Sequence, residues 1–211
     1  MSATETFAKI DPEKRARILE ASLQEFAEHG YAQASINRVV QRCAIAKGSI
    51  FQYFSSKEGL FAYVFEAAVS HFADRLRQAR DRSGNLPLEA RLLSVLCDGL
   101  AFVADHPGAY GLLQKVLRGR EIPMHAEMVR QLRALSARFI THMVEAAQAR
   151  GEAAADIPVP DAAFFIETLA EGFLTDFYES RAAAGAREQA EARARVLARL
   201  MAHGLAGNPK E

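Results

Sequence analysis

Two short helical segments separated by only three residues constrain the fold of this 211-residue chain more than any other feature. The first follows Ser35, a good N-cap residue, and the second runs from about Lys47 to Phe54. The first spaces its apolar side chains at i, i+3, i+4 and i+7, as an amphipathic helix does: Ile36, Val39, Val40 and Cys43. A tight turn between two short helices is typical of a helix-turn-helix unit.

A third helix is predicted ahead of this pair. Asp11 can cap it, Pro12 suits its first turn, and Gly30 provides a C-terminal stop after about His29. Its apolar stripe follows the helical period: Leu19, Leu23 and Phe26. The three helices have the layout of a helix-turn-helix domain, whose last helix lies in the major groove of DNA.

The rest of the chain is also predicted to be helical. Ser55 or Ser56 can cap a long helix that runs to about Arg80. Later breakers delimit about five more helices, and they occur at residues 83–85, 106–108, 119–123, 151–160 and around 185. We therefore expect an all-α fold of about nine helices. A helix-turn-helix domain over residues 1–56 begins with a loose arm at 1–8, a larger helical domain spans 57–211, and residues 207–211 form a second loose end.

The helix predicted from about Lys47 to Phe54 carries three aromatic residues and has two faces. Ile50 and Phe54 are four residues apart and are predicted to pack inward with Ile45. Ser49, Gln52 and Tyr53 are predicted to occupy the opposite sides. The helix therefore presents part of its surface to something outside the core.

The chain has no net charge, with 26 basic and 26 acidic residues, but the charges are unevenly placed. Residues 31–57 contain no Asp or Glu and four basic side chains: Arg38, Arg42, Lys47 and Lys57. A local cationic surface attracts phosphate even in a neutral protein. Residues 59–211 carry 18 basic and 19 acidic residues, a net charge of −1, which argues against a second nucleic-acid surface.

Other functional classes find little support in the sequence. No apolar stretch approaches the ~18 to 20 residues that a transmembrane helix needs, and the first 18 residues lack the apolar core of a signal peptide. We therefore expect a cytoplasmic protein without a membrane partner, with Cys43 and Cys97 reduced. Phosphate-binding glycine fingerprints and the HExxH, CxxC and GxSxG motifs are absent, so we expect no enzyme activity, cofactor or metal site.

Residues 14–61 resemble the TetR family of bacterial transcriptional repressors. The matching elements are Phe26, the Gly30-Tyr31 corner, Ala34-Ser35 at the start of the second helix, and the string KGSIFQYFSSKEGL that begins at Lys47. Their order at the N-terminus of a helical chain makes the resemblance specific. The remaining residues match the family in length and helicity only.

The resemblance implies DNA contacts at nine positions, which are Ser35, Asn37, Lys47, Gly48, Ser49, Phe51, Gln52, Tyr53 and Lys57. Ser35 would offer its hydroxyl and a helix N-terminus to a phosphate. Gly48 would allow a close backbone approach. Lys47 would contact a phosphate or a guanine edge, while Tyr53 and Lys57 match positions that touch the DNA backbone.

The remaining positions would face bases. Asn37 stands where family members often place a base-contacting residue, commonly a longer basic one. Ser49 and Gln52 would read base edges, and Gln suits adenine. Phe51 replaces the usual Tyr, so it would contact a thymine methyl but form no hydrogen bond with a phosphate.

Two residues depart from the family pattern. Ala44 replaces the glycine expected in the turn, so a left-handed conformation there is strained by up to ~1 kcal/mol. Ala46 replaces the usual Ser or Thr cap, at a cost of ~1 kcal/mol. Arg38 and Arg42 are four apart on one helix face, and peripheral phosphate contact and plain solubilising charge are equally open readings for both.

The last helices carry long apolar stripes, and the resemblance implies that they form a homodimer interface. The residues concerned are Phe165, Leu169, Phe173, Phe177, Val196, Leu197, Leu200 and Met201. The alternative is the core of a monomer. We favour the dimer because a protein that reads a palindromic site normally needs two copies.

The resemblance also implies a mainly apolar pocket for a small-molecule inducer. Candidate lining residues are Phe65, Phe72, Leu96, Leu100, Val103, Tyr110, Leu113, Gln114, Phe139, His142, Met143, Phe165, Thr168 and Phe173. An ordinary place in the core or on the surface is the alternative for each of them. We therefore expect a homodimeric, ligand-responsive repressor that binds a palindromic double-stranded DNA operator; the alternative is a helical small-molecule-binding protein or enzyme that does not bind DNA.

Overall fold

The computed structural model describes residues 5–119 and 121–206, and within these it contains ten helices and no strand. The helices are α1 (Glu5–Ala8), α2 (Pro12–Gln33), α3 (Ile36–Cys43), α4 (Lys47–Phe54), α5 (Lys57–Ser83), α6 (Leu88–Asp105), α7 (Pro107–Arg118), α8 (His125–Ala149), α9 (Val159–Ser180) and α10 (Ala186–Leu205). The all-α prediction is confirmed, and α1 is the helix that it did not include.

The described part of the N-terminal arm is helical, so the prediction of a loose arm over 1–8 was wrong for residues 5–8. Phe7 on α1 is 2% exposed. Its ring centroid lies 4.7 Å from that of Phe54 and 5.0 Å from that of Tyr63. Burial of this one large ring explains why a four-residue helix is held in place. Residues 1–4 and the predicted loose end at 207–211 lie outside the described residues.

Local sequence signals explain the bounds of α2. The Asp11 carboxylate accepts a hydrogen bond from the Lys14 backbone N–H at 3.0 Å, and Pro12 occupies the first turn. The predicted stop at Gly30 is a kink within α2, because Gly30 adopts φ 68° and ψ 174°. The chain then continues helically to Gln33, so the helix extends four residues beyond the predicted end.

The chain divides into two compact units. The first unit comprises the described residues up to His71 together with those between His106 and Arg130. In it α2 packs against α7 and α3, and α3 packs against α4.

Gly108 allows the close approach of α7 to α2, since a Cβ there would lie 3.3 Å from the Leu23 Cβ. Phe26, Tyr31 and Phe61 form an aromatic cluster in its core, with Phe61 centroids 4.9 and 5.1 Å from the other two.

The second unit comprises the residues between Phe72 and Asp105 together with those from Gln131 onward. In this unit α6 packs against both α9 and α10. α10 buries a stripe of small side chains, Ala190, Ala194 and Ala198. At Gly99 on α6 an added Cβ would lie 2.8 Å from a methyl carbon of Leu174 on α9, so the absence of a side chain permits this contact.

Three further observations concern the described residues only. None of their helices is both long and apolar enough to cross a lipid bilayer. No three of their His, Cys, Asp and Glu side chains are grouped as metal ligands. Cys43 is buried and Cys97 half-buried, and both are free thiols.

Ala44 adopts the left-handed conformation that the sequence predicted, with φ 54° and ψ 46°. We expect Ala44→Gly to stabilise the protein by roughly 0.5 to 1 kcal/mol, because the relief of strain exceeds the added entropy of the unfolded chain. The melting temperature should rise by roughly 1 to 4 °C. Ala16→Gly on the exposed surface of α2 is the matched control and should lower the melting temperature. A fall in both variants would contradict the strain at Ala44.

Candidate functional site

The turn between α3 and α4 is built from backbone hydrogen bonds. With Ala44 in the left-handed region, its N–H donates to the Gln41 carbonyl at 3.3 Å, and the Ile45 N–H donates to the Val40 carbonyl at 3.2 Å. Ala46 is extended at φ −71° and ψ 140°, and α4 starts after it without a side-chain cap. The first N–H groups of α4 therefore have no side-chain acceptor, which leaves a helix N-terminus suited to an anion.

α4 has a buried face and an exposed face. Ile50 and Phe54 are 0% and 4% exposed, as the sequence predicted. The exposed face comprises Lys47, Gly48, Phe51 and Gln52, and Ser49 is half-buried beside it. Phe51 is 42% exposed, which is unusual for so apolar a side chain. A Cβ added at Gly48 would meet no atom within 4 Å, so the packing of the chain itself does not require glycine there.

Tyr53 lies on the buried face, and its predicted place on the outer side of α4 was wrong. The side chain is 5% exposed, and its ring centroid lies 5.5 Å from that of Phe7. Its hydroxyl accepts a hydrogen bond from the Lys14 ammonium at 3.4 Å. The prediction for Tyr53 was wrong because α1, which covers this side chain, was not predicted. A contact of Tyr53 with DNA stays a prediction and concerns the hydroxyl alone.

A buried carboxylate links α2 to the start of α3. Glu25 is 0% exposed, and its Oε1 accepts the Ser35 backbone N–H at 2.8 Å and the Arg38 Nε–H at 2.8 Å. Arg38 also donates from Nη2 to the Gln33 carbonyl at 2.8 Å. Arg38 thus has partners within the chain, and Ser35 is fixed through its backbone while its hydroxyl caps nothing. Their contacts with DNA stay predictions.

The charge of Glu25 is compensated inside the fold. Burial raises the pKa of its carboxyl, but the hydrogen bonds from Arg38 and Ser35 and the positive charge of Arg38 outweigh burial, so the pKa is lower than its ordinary value. Glu25 was not among the site residues predicted from the sequence. The available signal was an acidic side chain next to the apolar stripe of α2, where a charge requires a buried partner.

Two of the other three predicted cations, Arg42 and Lys57, also have partners. The Arg42 guanidinium is 3.0 Å from a Glu28 carboxylate oxygen. The Lys57 ammonium donates to the Ala32 carbonyl at 3.1 Å and lies 4.9 Å from the centroid of the Tyr31 ring. Burial lowers the pKa of Lys57.

Lys47 differs, because it is exposed and forms no hydrogen bond or ion pair among the described residues. Asn37 is exposed on α3.

The candidate ligand residues fall into two groups by burial. Those in the first unit are all buried: Phe65, Tyr110, Leu113 and Gln114. In the second unit Leu96, Leu100, Val103 and Met143 are buried, while Phe72, Phe139 and Phe173 are half-buried. The remaining three are exposed, and their contact with a ligand stays a prediction: His142, Phe165 and Thr168. The outward side of a helix was not distinguishable in segments that are apolar nearly all round.

Gln114 is a polar side chain within this apolar interior. Its Nε2 donates to the Tyr110 hydroxyl at 3.0 Å. Its Oε1 is buried and has no hydrogen-bond partner among the described residues. An unpaired buried acceptor is costly, so this oxygen is suited to a donor from a bound molecule or water.

The candidate dimer residues also separate by exposure. Four are exposed at 46–63%, namely Phe165, Leu169, Val196 and Leu200, and Phe173 and Leu197 are half-buried. Phe177 and Met201 are 3% and 6% exposed, so their prediction as interface residues was wrong. They face the core of their own chain. Phe164, which the sequence analysis did not select, is 59% exposed next to Phe165.

Comparisons with known proteins show similarity to bacterial transcriptional regulators. Residues 18–64 match the family model described as "Bacterial regulatory proteins, tetR family". The chain is 30% identical over 186 residues to the HTH-type transcriptional repressor AcnR of Corynebacterium glutamicum, covering 82% of this chain and 83% of the relative. It is 32% identical over 168 residues to the HTH-type transcriptional repressor SCO4008 of Streptomyces coelicolor, with coverages of 77% and 80%.

A solved structure extends the similarity to the whole fold. The crystal structure of a TetR family transcriptional regulator from Chloroflexus aurantiacus matches with a TM-score of 0.82 and 26% identity. The match covers 99% of this chain and 100% of the other. The similarity therefore includes the helices that follow the helix-turn-helix segment.

Proposed function

Because the chain belongs to the TetR family of bacterial transcriptional regulators, whose members are not enzymes, we propose that it is a homodimeric repressor released from a palindromic operator by a small, mainly apolar inducer. The observation that carries DNA binding is the exposed face of α4, with Lys47, Gly48, Phe51 and Gln52 beside an uncapped helix N-terminus. We assign DNA reading to residues 1–56, and ligand binding and dimerisation to 57–211. Since it acts on DNA, we place the protein in the cytoplasm.

The side chains of α4 fall into two groups, one suited to DNA phosphates and one suited to base edges. Lys47 and the N-terminal N–H groups of α4 suit phosphate oxygens, which fix the position of the helix. Gln52 suits the paired donor and acceptor of adenine, and the exposed ring of Phe51 suits a thymine methyl. At Gly48 the open space beyond the Cα leaves room for close approach of the DNA backbone.

Glu25 and Arg38 support this reading role indirectly. Together they hold Ser35, the residue that precedes α3, against α2. α3 in turn packs against α4. The position of α4 therefore depends on the Glu25–Arg38 ion pair, which joins α2 to α3. We assign Arg38 a positioning role, with phosphate contact as a secondary one.

Exposed apolar side chains support the homodimer. α9 and α10 contact each other within the second unit and carry Phe164, Phe165, Leu169, Val196 and Leu200, each at least 46% exposed. Several large apolar side chains exposed on neighbouring helices are typical of an interaction surface. A symmetric dimer would cover the same surface on both copies and would provide two α4 helices for a palindromic site.

Within the first unit, the buried apolar side chains of Phe65 and Leu113 and the unpaired Gln114 acceptor support the binding of a small molecule. For induction the ligand must bind the form that releases DNA more tightly than the form that holds it. The proposed response is a change in the spacing of the two α4 helices, transmitted through α5.

Substitutions on α4 test DNA reading. We expect Lys47→Ala to weaken binding to all DNA sequences and to reduce the slope of log K against log salt by about 0.9 for each lost phosphate contact, or about 1.8 for a symmetric dimer. Gln52→Ala should instead relax preference at one base position of each half-site, by roughly 1 to 3 kcal/mol. Fluorescence anisotropy with operator fragments from a random-sequence selection measures both effects.

Arg195→Ala is the control, because it removes a positive charge from the exposed surface of α10. It should leave affinity, salt slope and base preference unchanged. Unchanged binding in Lys47→Ala and Gln52→Ala would show that α4 is not the reading helix. Failure of the wild-type protein to select any DNA would refute the regulator proposal itself.

A further inference from the structure

Arg91 on α6 is a buried cation without hydrogen bonds from two of its nitrogens. The residue is 5% exposed, and its Nε and Nη1 atoms are buried and have no partner among the described residues. A guanidinium remains protonated in proteins. Buried charges are normally paired, because removing them from water is costly. A hydrogen-bond acceptor next to Nε and Nη1 of Arg91 would therefore be stabilising.

The nearby carboxylate is already engaged by other donors. Glu152 accepts the Arg150 Nε–H at 2.7 Å through one oxygen. Its other oxygen accepts the Arg150 Nη2–H at 3.1 Å and the Leu88 backbone N–H at 2.7 Å. Glu152 attracts Arg91 electrostatically but forms no hydrogen bond with its Nε or Nη1. Two guanidinium groups thus share one carboxylate, which leaves one positive charge in excess.

The local backbone adds to this positive potential. Leu88 is the first residue of α6, an 18-residue helix, and the helix N-terminus carries a partial positive charge. Burial lowers the pKa of Arg91, and repulsion by Arg150 acts in the same direction. Glu89, the acidic residue in the first turn of α6, is exposed. The cluster at the start of α6 is therefore short of negative charge.

We propose that Arg91, with Arg150 and the N-terminus of α6, forms a binding site for the oxyanion of a small carboxylate or phosphate compound. The unpaired nitrogens of Arg91 donate to the oxyanion, and its charge balances the excess positive charge. The site lies within the second unit and contains none of the residues assigned to DNA reading or to the apolar pocket. It is independent of the proposed function, because it involves neither DNA nor an inducer.

Thermal unfolding of the full chain tests this site, with sodium phosphate and sodium acetate as probes. Sodium chloride at equal ionic strength controls for screening. The wild-type melting temperature should rise saturably with at least one oxyanion, by roughly 3 to 6 °C at a tenfold excess over its dissociation constant. A rise with phosphate alone, with acetate alone or with both shows whether the site takes a phosphate group, a carboxylate group or either.

Three variants separate the proposed site from general salt effects. Arg91→Met should abolish the oxyanion-dependent rise and, in chloride alone, should melt no lower than the wild type, because a buried unpaired charge has been removed. Glu152→Gln should bind the oxyanion more tightly, since it removes the competing negative charge and keeps an acceptor for Leu88. Arg187→Gln, at an exposed ion pair with Glu191 on α10, should respond as the wild type does.

An oxyanion response in the wild type that is lost in Arg91→Met and strengthened in Glu152→Gln supports the site. If Arg91→Met does not fold, the strengthened response of Glu152→Gln decides. A wild-type response no larger than that to chloride, or one that Arg91→Met retains, would overturn the proposal and indicate that internal water satisfies Arg91.

Discussion

Leu200→Glu is expected to convert the proposed dimer into a monomer at micromolar concentration. Leu200 is 63% exposed on α10, so the free chain accommodates a carboxylate there without loss of core packing. In a symmetric dimer the substitution would bury two unpaired carboxylates, each at a cost of several kcal/mol. The dissociation constant of the dimer should rise at least roughly 100-fold. Sedimentation velocity over a concentration series measures it.

Arg195→Glu is the control for this substitution. Arg195 is exposed on the same helix and is about a quarter-turn from Val196, so its substitution places a carboxylate outside the apolar stripe. The net charge changes by −2, compared with −1 for Leu200→Glu, which makes the control the more stringent test of a general charge effect. It should remain dimeric. A Leu200→Glu protein as dimeric as the wild type would exclude this face as the interface, and a monomeric wild type would exclude the homodimer.

Loss of dimerisation should also weaken operator binding. A monomer places one α4 helix on a half-site, whereas the dimer engages two half-sites with one loss of translational freedom. Leu200→Glu should therefore lower operator affinity although its residues that face DNA are unchanged. The same anisotropy assay should show nearly equal affinity for a full palindrome and an isolated half-site.

Arg38→Met is expected to destabilise the first unit and to make its stability less sensitive to acid. The substitution leaves the fully buried Glu25 carboxylate with the Ser35 N–H as its hydrogen-bond partner and the His29 Nε2 3.9 Å away. Because Arg38 is itself 44% exposed, water already screens part of the pair, and the loss is smaller than for a fully buried one. The melting temperature at pH 7 should fall by roughly 4 to 8 °C.

The pH dependence distinguishes this pair from simple packing. A carboxyl whose pKa is lowered on folding stabilises the fold above its unfolded pKa, near 4.5, and this contribution is lost as the pH falls through the lowered folded value. The difference between wild type and Arg38→Met should therefore be largest at pH 7 and shrink below about pH 4.5. Melting curves from pH 3 to 8 measure it.

Arg42→Met provides the comparison. Its partner Glu28 is 43% exposed, so the pair is screened by water. We expect a shift of at most about 2 °C. A difference between wild type and Arg38→Met that stays constant across the pH range would show that Glu25 is not the group concerned.

Helical structure and the reading motif were predictable from the sequence because their signals are local. Asp11, Pro12 and Gly30 act on the backbone within a few residues, and the structure has the cap and the kink at these positions. Spacing alone placed Ile50 and Phe54 in the core. The left-handed conformation of Ala44 was implied by the family resemblance, in which a glycine is expected at this turn position.

Contacts between distant segments were not predictable in the same way. Tyr53 is buried because α1 covers it, and a four-residue helix has almost no periodicity to detect. Glu25 and Arg38 are 13 positions apart, and only the packing of α3 on α2 brings them together. Similarly, Phe177 and Met201 belong to stripes that continue onto exposed positions, so spacing did not show where the buried arc ends.

Local sequence was sufficient for the helices, their breaks and the chemistry offered by α4, since backbone propensity and side-chain period act over one or two turns. Which polar and apolar side chains have partners depended on the tertiary structure. It paired Arg38 with Glu25, left Arg91 without an acceptor for two of its nitrogens, and left Leu200 exposed while Met201 is buried. The physical reason is that burial and charge compensation depend on neighbours that are distant in the chain and close in space.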